Sequence, residues 1–437
     1  MTATGRRFLG RAAGFGLAAL LTAASPASGA TRAVTPATLA QTLAAASPGD
    51  VLALGPGLYS GPVVIDKPLT LEGQPGVIVD GGGAGQVIRV VAPDVTVRGL
   101  VIRNSGIVLP DRDAGVFVGR EAARALIENN VLEHNLIGVD LWGCEGALVR
   151  GNRIAGRTDL RVNERGNGVQ LWNAPGSKVI GNDIRWGRDG IFTNVSRNNR
   201  FEGNRMEGVR YAVHYMYTND STVIGNLSVG NDIGYAIMFS DRVTVRGNLS
   251  DNDHAHGMLF NYANSSTMED NIVRHGGEKC VFIYNANKNE FTDNRFEGCE
   301  IGIHFTAGSE RNRMSGNAFI NNRHQVMYVG SANLDWSANG RGNFWSDNPA
   351  FDLDGDGYAD TAYRPNDLVD RVVWSWPAAK LLLNSPGIQV IRWAQAQFPA
   401  LHPGGVIDSR PLMKPPVVPE PAFHQEGLPP WPKQPSP

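Results

Sequence analysis

From about residue 126 to residue 345 the chain alternates apolar and polar positions in runs of only a few residues, closed by Gly, Asn or Asp. A period of two in short runs between turn residues predicts β-strands. These runs repeat. Asparagine returns in "ENN", "GNR", "GND", "EGN", "IGN", "RGN", "EDN", "TDN" and "SGN", at Asn130, Asn152, Asn182, Asn204, Asn226, Asn248, Asn271, Asn294 and Asn317, with steps of 22, 30, 22, 22, 22, 23, 23 and 23 residues. Between them a small residue precedes an apolar-x-apolar run: "GVDLW", "GVQLW", "GIFTN", "AVHYM", "AIMFS", "GMLFN", "CVFIY" and "GIHFT". One such unit cannot bury its apolar face, whereas stacked units bury a continuous core. The pattern predicts an all-β fold, a right-handed parallel β-helix over residues 31–345 with rungs of about 22 residues. Each repeated Asn is expected at an internal bend, bonded to the backbone and to the Asn of the next rung as a ladder.

Alternation also assigns faces. Aligned on the small residue, Val213 and Tyr215 fall with Ile237 and Phe239 and with Met258 and Phe260, which are expected to point inward. The outward column then reads Asp140, Gln170, Phe192, His214, Met238, Leu259, Val281, His304, Met327. Two residues further on it reads Trp142, Trp172, Asn194, Met216, Ser240, Asn261, Ile283, Thr306, Val329. His214 and Met216 therefore share one strand face, with Met238 expected one rung away from His214. An imidazole and two thioethers form a soft donor set suited to Cu(I) rather than to zinc, calcium or magnesium. The competing reading is that all three cover a groove beneath another segment, since Met is a common gap filler. His304 with Met327, and His254, His256 and His275 near a turn, are second-choice copper groups, to be weighed against plain solvated surface. Trp142 and Trp172 are expected to stack outward on adjacent rungs, as a platform for a sugar ring, a partner protein or a packed loop.

The ends of the chain read differently. "TPATLAQTLAAASPGD" predicts a cap helix between Thr35 and Asp50, with Thr35 as N-cap and Pro36 at the first helical position, covering an open sheet end. Residues 1–30, with Arg6, Arg7, Arg11, an apolar core and small residues before Thr31, read as an export signal. The step from Asn152 to Asn182 carries an excess, "RTDLRVNERGN", expected as a loop pushed off one turn. Beyond the repeats, "DLDGDGYAD" in segment 346–372 places Asp352, Asp354, Asp356, the Tyr358 carbonyl and Asp360 in the order of an EF-hand-like loop without its final Glu, a structural calcium site. Segment 373–437 holds two short amphipathic helices and a tail whose last 27 residues contain ten prolines, which is expected to be extended.

Composition narrows the partners. The formal charge of −2 becomes −5 once the three leader arginines are removed, so no basic field invites nucleic acid. Cys144, Cys280 and Cys299 are an odd number in an exported chain, which argues against a disulfide framework; Cys280 falls in the inward column and is expected as free core, with a Cys280–Cys299 bridge the alternative. Many β-helices cleave or epimerise acidic polysaccharides, so a lyase, an epimerase or a glycan-binding module is a rival function, and a purely structural surface solenoid is a third. Enzymatic chemistry needs clustered carboxylates with a base on the outward face, and the column supplies Asp140 and little else.

The export signal, the Asn repeat and above all "GNFWSDNPAFDLDGDGYADTAYRPNDLVDR" followed by "GVIDSRPLMKP" resemble the NosD family, periplasmic copper-processing proteins of nitrous oxide reductase maturation. The likeness covers nearly the whole mature chain. It implies a non-enzymatic role: a periplasmic copper-binding accessory protein that works with a membrane subunit and an ATPase as an ABC-type complex. The family takes copper from a membrane-anchored chaperone and assists assembly of the copper-sulfide centre of the reductase apoprotein. On this likeness the helices and tail past Val372 dock on the membrane subunit, with Trp374, Trp376 and Trp393 as anchors alongside the Trp142 and Trp172 platform, unless they pack as a cap. The likeness supplies no ligand positions; His214, Met216 and Met238 come from the columns.

Overall fold

The computed structural model describes residues 29–306, 308–330, 332–366, 368–382, 385–398, 405–423 and 431. The export-signal reading falls on residues 1–28, outside the described residues, apart from positions 29 and 30. Three parallel sheets of 13, 12 and 13 strands run the length of a right-handed solenoid of about 14 turns. Each turn gives one short strand to each sheet. In the 12-stranded sheet, for example, Tyr211–Asn219 lies between Asp189–Arg197 and Ile233–Met238.

The alternation in the sequence becomes the wall of this tube. Val213, Tyr215, Tyr235, Ile237, Phe260, Val281 and Ile283 are fully buried, and Met258 nearly so. The bends carry the predicted ladder. Asn204 Nδ2 donates to Asn226 Oδ1 at 3.0 Å, and Asn226 Nδ2 to Asn248 Oδ1 at 3.0 Å. The chain of amides continues unbroken from Asn130 to Asn343, each Oδ1 also accepting a backbone N–H from the rung before. Buried amides are tolerated here because every donor and acceptor is met. From Asn130 to Asn317 the residue ahead of each ladder Asn takes a left-handed backbone, as at Gly225 (φ 60°) and Asp270 (φ 56°), which is why Gly, Asn and Asp recur there.

The N-terminal helix is shorter than expected. It spans Leu39–Ala45 with Thr38, not Thr35, as N-cap, and residues 36–38 form a turn. It packs Leu39 and Leu43 on the core, and Lys67 Nζ donates to its last carbonyls, at 2.8 Å to Ala44 O. The 30-residue step emerges as the expected loop, with one 3-10 turn at Val162–Glu164.

Two expectations are corrected at the C-terminal half. Cys280 and Cys299 are bridged, while Cys144 alone is a buried free thiol. An odd cysteine count says nothing about which pair the rungs bring together, and a Cα–Cα distance of 5.6 Å suits a bridge. The first C-terminal helix begins at Leu368, ahead of the segment 373–437 expected to hold it, and ends at Ser375; a 3-10 turn Pro377–Leu382 and the helix Pro386–Gln397 follow. Strand Gly405–Ile407 then pairs with Asn333–Asp335. Next to it, buried Asp408 accepts from the Asn343 backbone N–H and from Trp345 Nε1, so it closes the open end of the ladder. Two described residues of the tail touch the solenoid: Glu420 meets Arg274 at 2.6 Å, and the Trp431 ring lies under the Arg185 guanidinium with its Nε1 3.1 Å from Asp183.

Candidate metal-handling face

The outward face of the 12-stranded sheet holds the predicted donors, in a different register. His214 pairs with Phe192 on one side and Ala236 on the other, and Met238 pairs with Met216. The expected pairing of Met238 with His214 is therefore corrected by two residues of register within the same strand pair. Alignment on Ala236 misled the columns; the small residue at the corner is Gly234, where a Cβ would meet the Gly257 carbonyl oxygen at 2.4 Å. Val281 and Ile283 likewise point in, and Phe282 and Tyr284 point out. Phe239 leaves the inward column for the outer corner, stacked on Tyr217 and Tyr262.

Met216 and Met238 thus form a thioether pair across adjacent strands, about 4.8 Å apart at the backbone, and His214 lies two residues back on the Met216 strand. His214 is only 9% exposed. The rings of Phe192 and Tyr211 pack on it, with centroids at 5.0 and 4.7 Å. Its Nδ1 lies 3.0 Å from Oδ2 of Asp189, which is fully buried and also takes two bonds of 2.8 Å from Arg210. Burial alone would raise the Asp189 carboxyl, but the bonds from His214 and Arg210 outweigh it and hold the carboxyl below its ordinary range. An ionised carboxylate only accepts, so Nδ1 carries a proton towards it, and in the neutral ring Nε2 is the nitrogen with the lone pair. A buried carboxylate that fixes the tautomer is the usual support behind a metal-binding imidazole. The columns missed Asp189 because it lies 25 residues from His214, at the strand's bent entry rather than in the outward column.

The other candidates separate. His254 and His275 are exposed and lie 3.8 Å from Asp232 and 2.9 Å from Asp251. His256 and His304 each bury an Nδ1 with no protein partner, and His304 pairs in register with Met327. Trp142 and Trp172 stack at 3.8 Å as expected, but the Arg112 guanidinium covers Trp142 at 3.3 Å and binds the buried Asp140. Burial pushes the Asp140 carboxyl up to about 6 despite Arg112. Bound in this way, Asp140 is not a free acid or base. Asp352, Asp354 and Asp356 gather with oxygens within 4.8 Å of one another, while Asp360 accepts from the Leu353 N–H and Tyr358 stacks under Arg410. Trp374 sits 6.5 Å from His324, and Trp376 and Trp393 are 72% and 63% exposed.

A parallel β-solenoid carrying His and Met side chains on the outward face of one sheet defines the class: a parallel β-helix repeat protein. The sequence model of NosD, periplasmic copper-binding protein, matches residues 150–350. A "Probable ABC transporter binding protein NosD" of Pseudomonas aeruginosa is 42% identical over 378 residues, 84% of this chain and 88% of that one. Its counterpart in Stutzerimonas stutzeri is 43% identical, over 83% and 86%. The chain belongs to the NosD family. Among solved structures, a mannuronic acid specific polysaccharide family 6 lyase from human gut microbiota is similar with a TM-score of 0.53 at 12% identity, over 72% of this chain and 86% of that one. That likeness concerns the fold alone. No helix among the described residues is long and apolar enough to cross a membrane.

Proposed function

We propose that this protein receives and presents copper in the periplasm as the accessory subunit of an ABC-type complex, and so assists assembly of the copper-sulfide centre of nitrous oxide reductase without catalysing a reaction. The observation that carries this reading is His214, held by Asp189 with Nε2 free, beside the Met216–Met238 thioether pair. Few soft ligands on one outward strand face, two part-exposed thioethers and a nearly buried imidazole, suit transient Cu(I) because so few donors hold it weakly. The relatives' names, each a probable ABC transporter binding protein, support the complex.

The exposed apolar surface of the C-terminal helices, Trp376, Leu381, Val390 and Trp393, supports docking on a membrane subunit with Trp374 at its edge. A membrane-anchored copper chaperone and the reductase apoprotein are the partners on either side of the handover. The acidic loop of Asp352, Asp354, Asp356, Tyr358 and Asp360 serves as a structural calcium site.

Cu(I) titration of the purified protein under reducing conditions, with a chromophoric competitor, tests the site. Loss of a bound equivalent in His214→Ala/Met216→Ala is expected; unchanged stoichiometry and affinity in that variant would overturn the ligand assignment. Cleavage of polyuronate by the same preparation would overturn the non-enzymatic reading.

A further inference from the structure

We propose that the same face carries a second soft-metal station, formed by His304 and Met327 with His256 beside them, separate from the His214 site. This inference rests on the copper-handling reading and extends it from one ion to two.

The geometry comes first. His304 on strand Ile301–Thr306 and Met327 on strand His324–Val329 are register partners, so imidazole and thioether project to the same side at strand spacing. Strands carrying His214 and His304 are separated by Ile233–Met238, His256–Asn261 and Lys279–Tyr284, four steps or about 19 Å. The residues in register between His214 and His304, namely Ala236, Leu259 and Phe282, offer no ligand. One ion cannot serve both groups.

The second observation is the unmet nitrogen. Nδ1 of His304 is buried without a hydrogen-bond partner, an arrangement that costs roughly 1–3 kcal/mol and calls for a ligand; Nδ1 of His256 is buried as well, in a ring that the Ala255 carbonyl partly satisfies. Phe282 separates and seats the two rings, at 4.8 Å from His304 and 5.5 Å from His256. Burial, then the Lys279 ammonium and His256, push His304 down to about 4; burial and Lys279 lower His256 as well. The Lys279 charge is offset by Glu278, 3.3 Å away.

The ligand class follows from the donors. An imidazole and a thioether in register, with a second imidazole on the far side of Phe282, select a soft d10 cation, Cu(I) or Ag(I), over calcium or magnesium. A row of such stations along one sheet face provides a path on which a weakly held ion moves from one end of the solenoid towards the other.

Ag(I) titration of the purified protein, labelled with 13C at the methionine methyls, tests this. Two equivalents are expected, with the Met327 methyl shifting as well as those of Met216 and Met238. His304→Ala/Met327→Leu should lose one equivalent and retain the Met216 and Met238 shifts. A Met327 methyl that stays still in the unmodified protein while Ag(I) binds elsewhere would overturn the second station and leave the first intact. Movement of Met327 without Met216 and Met238 would support the second station and defeat the first. No binding at all would remove both.

Discussion

Asp189 and His214, 25 positions apart in the chain, meet at 3.0 Å beneath the outward face of the solenoid. The carboxylate fixes which nitrogen of His214 looks outward. Asp189→Asn preserves shape but removes the charge, so Cu(I) affinity at the His214 site should fall roughly 10–100-fold without loss of the ligand itself. Competition titration against a calibrated Cu(I) chelator reads this directly, and an affinity within twofold of the parent protein would show that Asp189 only packs.

The ladder gives a stability prediction. Asn226 Oδ1 accepts from both the backbone N–H and the Nδ2 of Asn204, and its own Nδ2 donates to Asn248 Oδ1 and to the Phe201 and Ile224 carbonyls. Asn226→Ala leaves these groups buried and unmet, at a cost of roughly 2–4 kcal/mol. Urea unfolding should show it, and a midpoint shift close to zero would mean that water replaces the amide.

Asp253 sits in a buried position of this kind, accepting from Ser228 Oγ, Ser250 Oγ and the Asn231 N–H. Burial pushes its carboxyl up to about 6, above the unfolded value, against those bonds. The folded protein therefore binds the extra proton between about pH 4 and 6, and Asp253 weakens folding as pH rises through that window. Asp253→Asn should stabilise the protein at pH 7.5, by on the order of 1–3 kcal/mol, with the gain vanishing below about pH 4. Thermal melts across that range decide it; a gain independent of pH would point to packing.

The Cys280–Cys299 bridge closes a separation of 19 residues. In the loop-entropy account this constrains the unfolded chain by about 3 kcal/mol. Reduced protein, or Cys280→Ala/Cys299→Ala, should melt several degrees lower, and an identical melting curve with and without reductant would contradict this.

Calcium should order the acidic loop, in which Asp352 accepts from the Gly355 and Gly357 N–H groups and Asp356 from Tyr358 and Arg410. Added calcium at several times its dissociation constant should raise Tm by a few degrees. Asp352→Asn/Asp354→Asn should abolish the shift, whereas an equal shift with magnesium alone would argue against a calcium site.

The sequence by itself determined the strand alternation, the 22-residue rung, the Asn ladder and therefore the β-helix, because these are local: a side chain's face follows from period two, and a left-handed bend selects Gly, Asn or Asp. It also placed His214 and Met216 on one outward face. What it did not contain was how one rung sits on the next. Gly234 and Ala236 are both small, and only the clearance at the corner, where the Gly257 carbonyl leaves no room for a Cβ, chose Gly234 and so moved Met238 from His214 to Met216. The pairing of Asp189 with His214, the bridge between Cys280 and Cys299, the closure of the ladder by Asp408 and the return of the tail to Asp183 all join residues that no local pattern links. Stacking decided them, since only in the coiled chain do these groups lose water together and find the partner that makes burial tolerable.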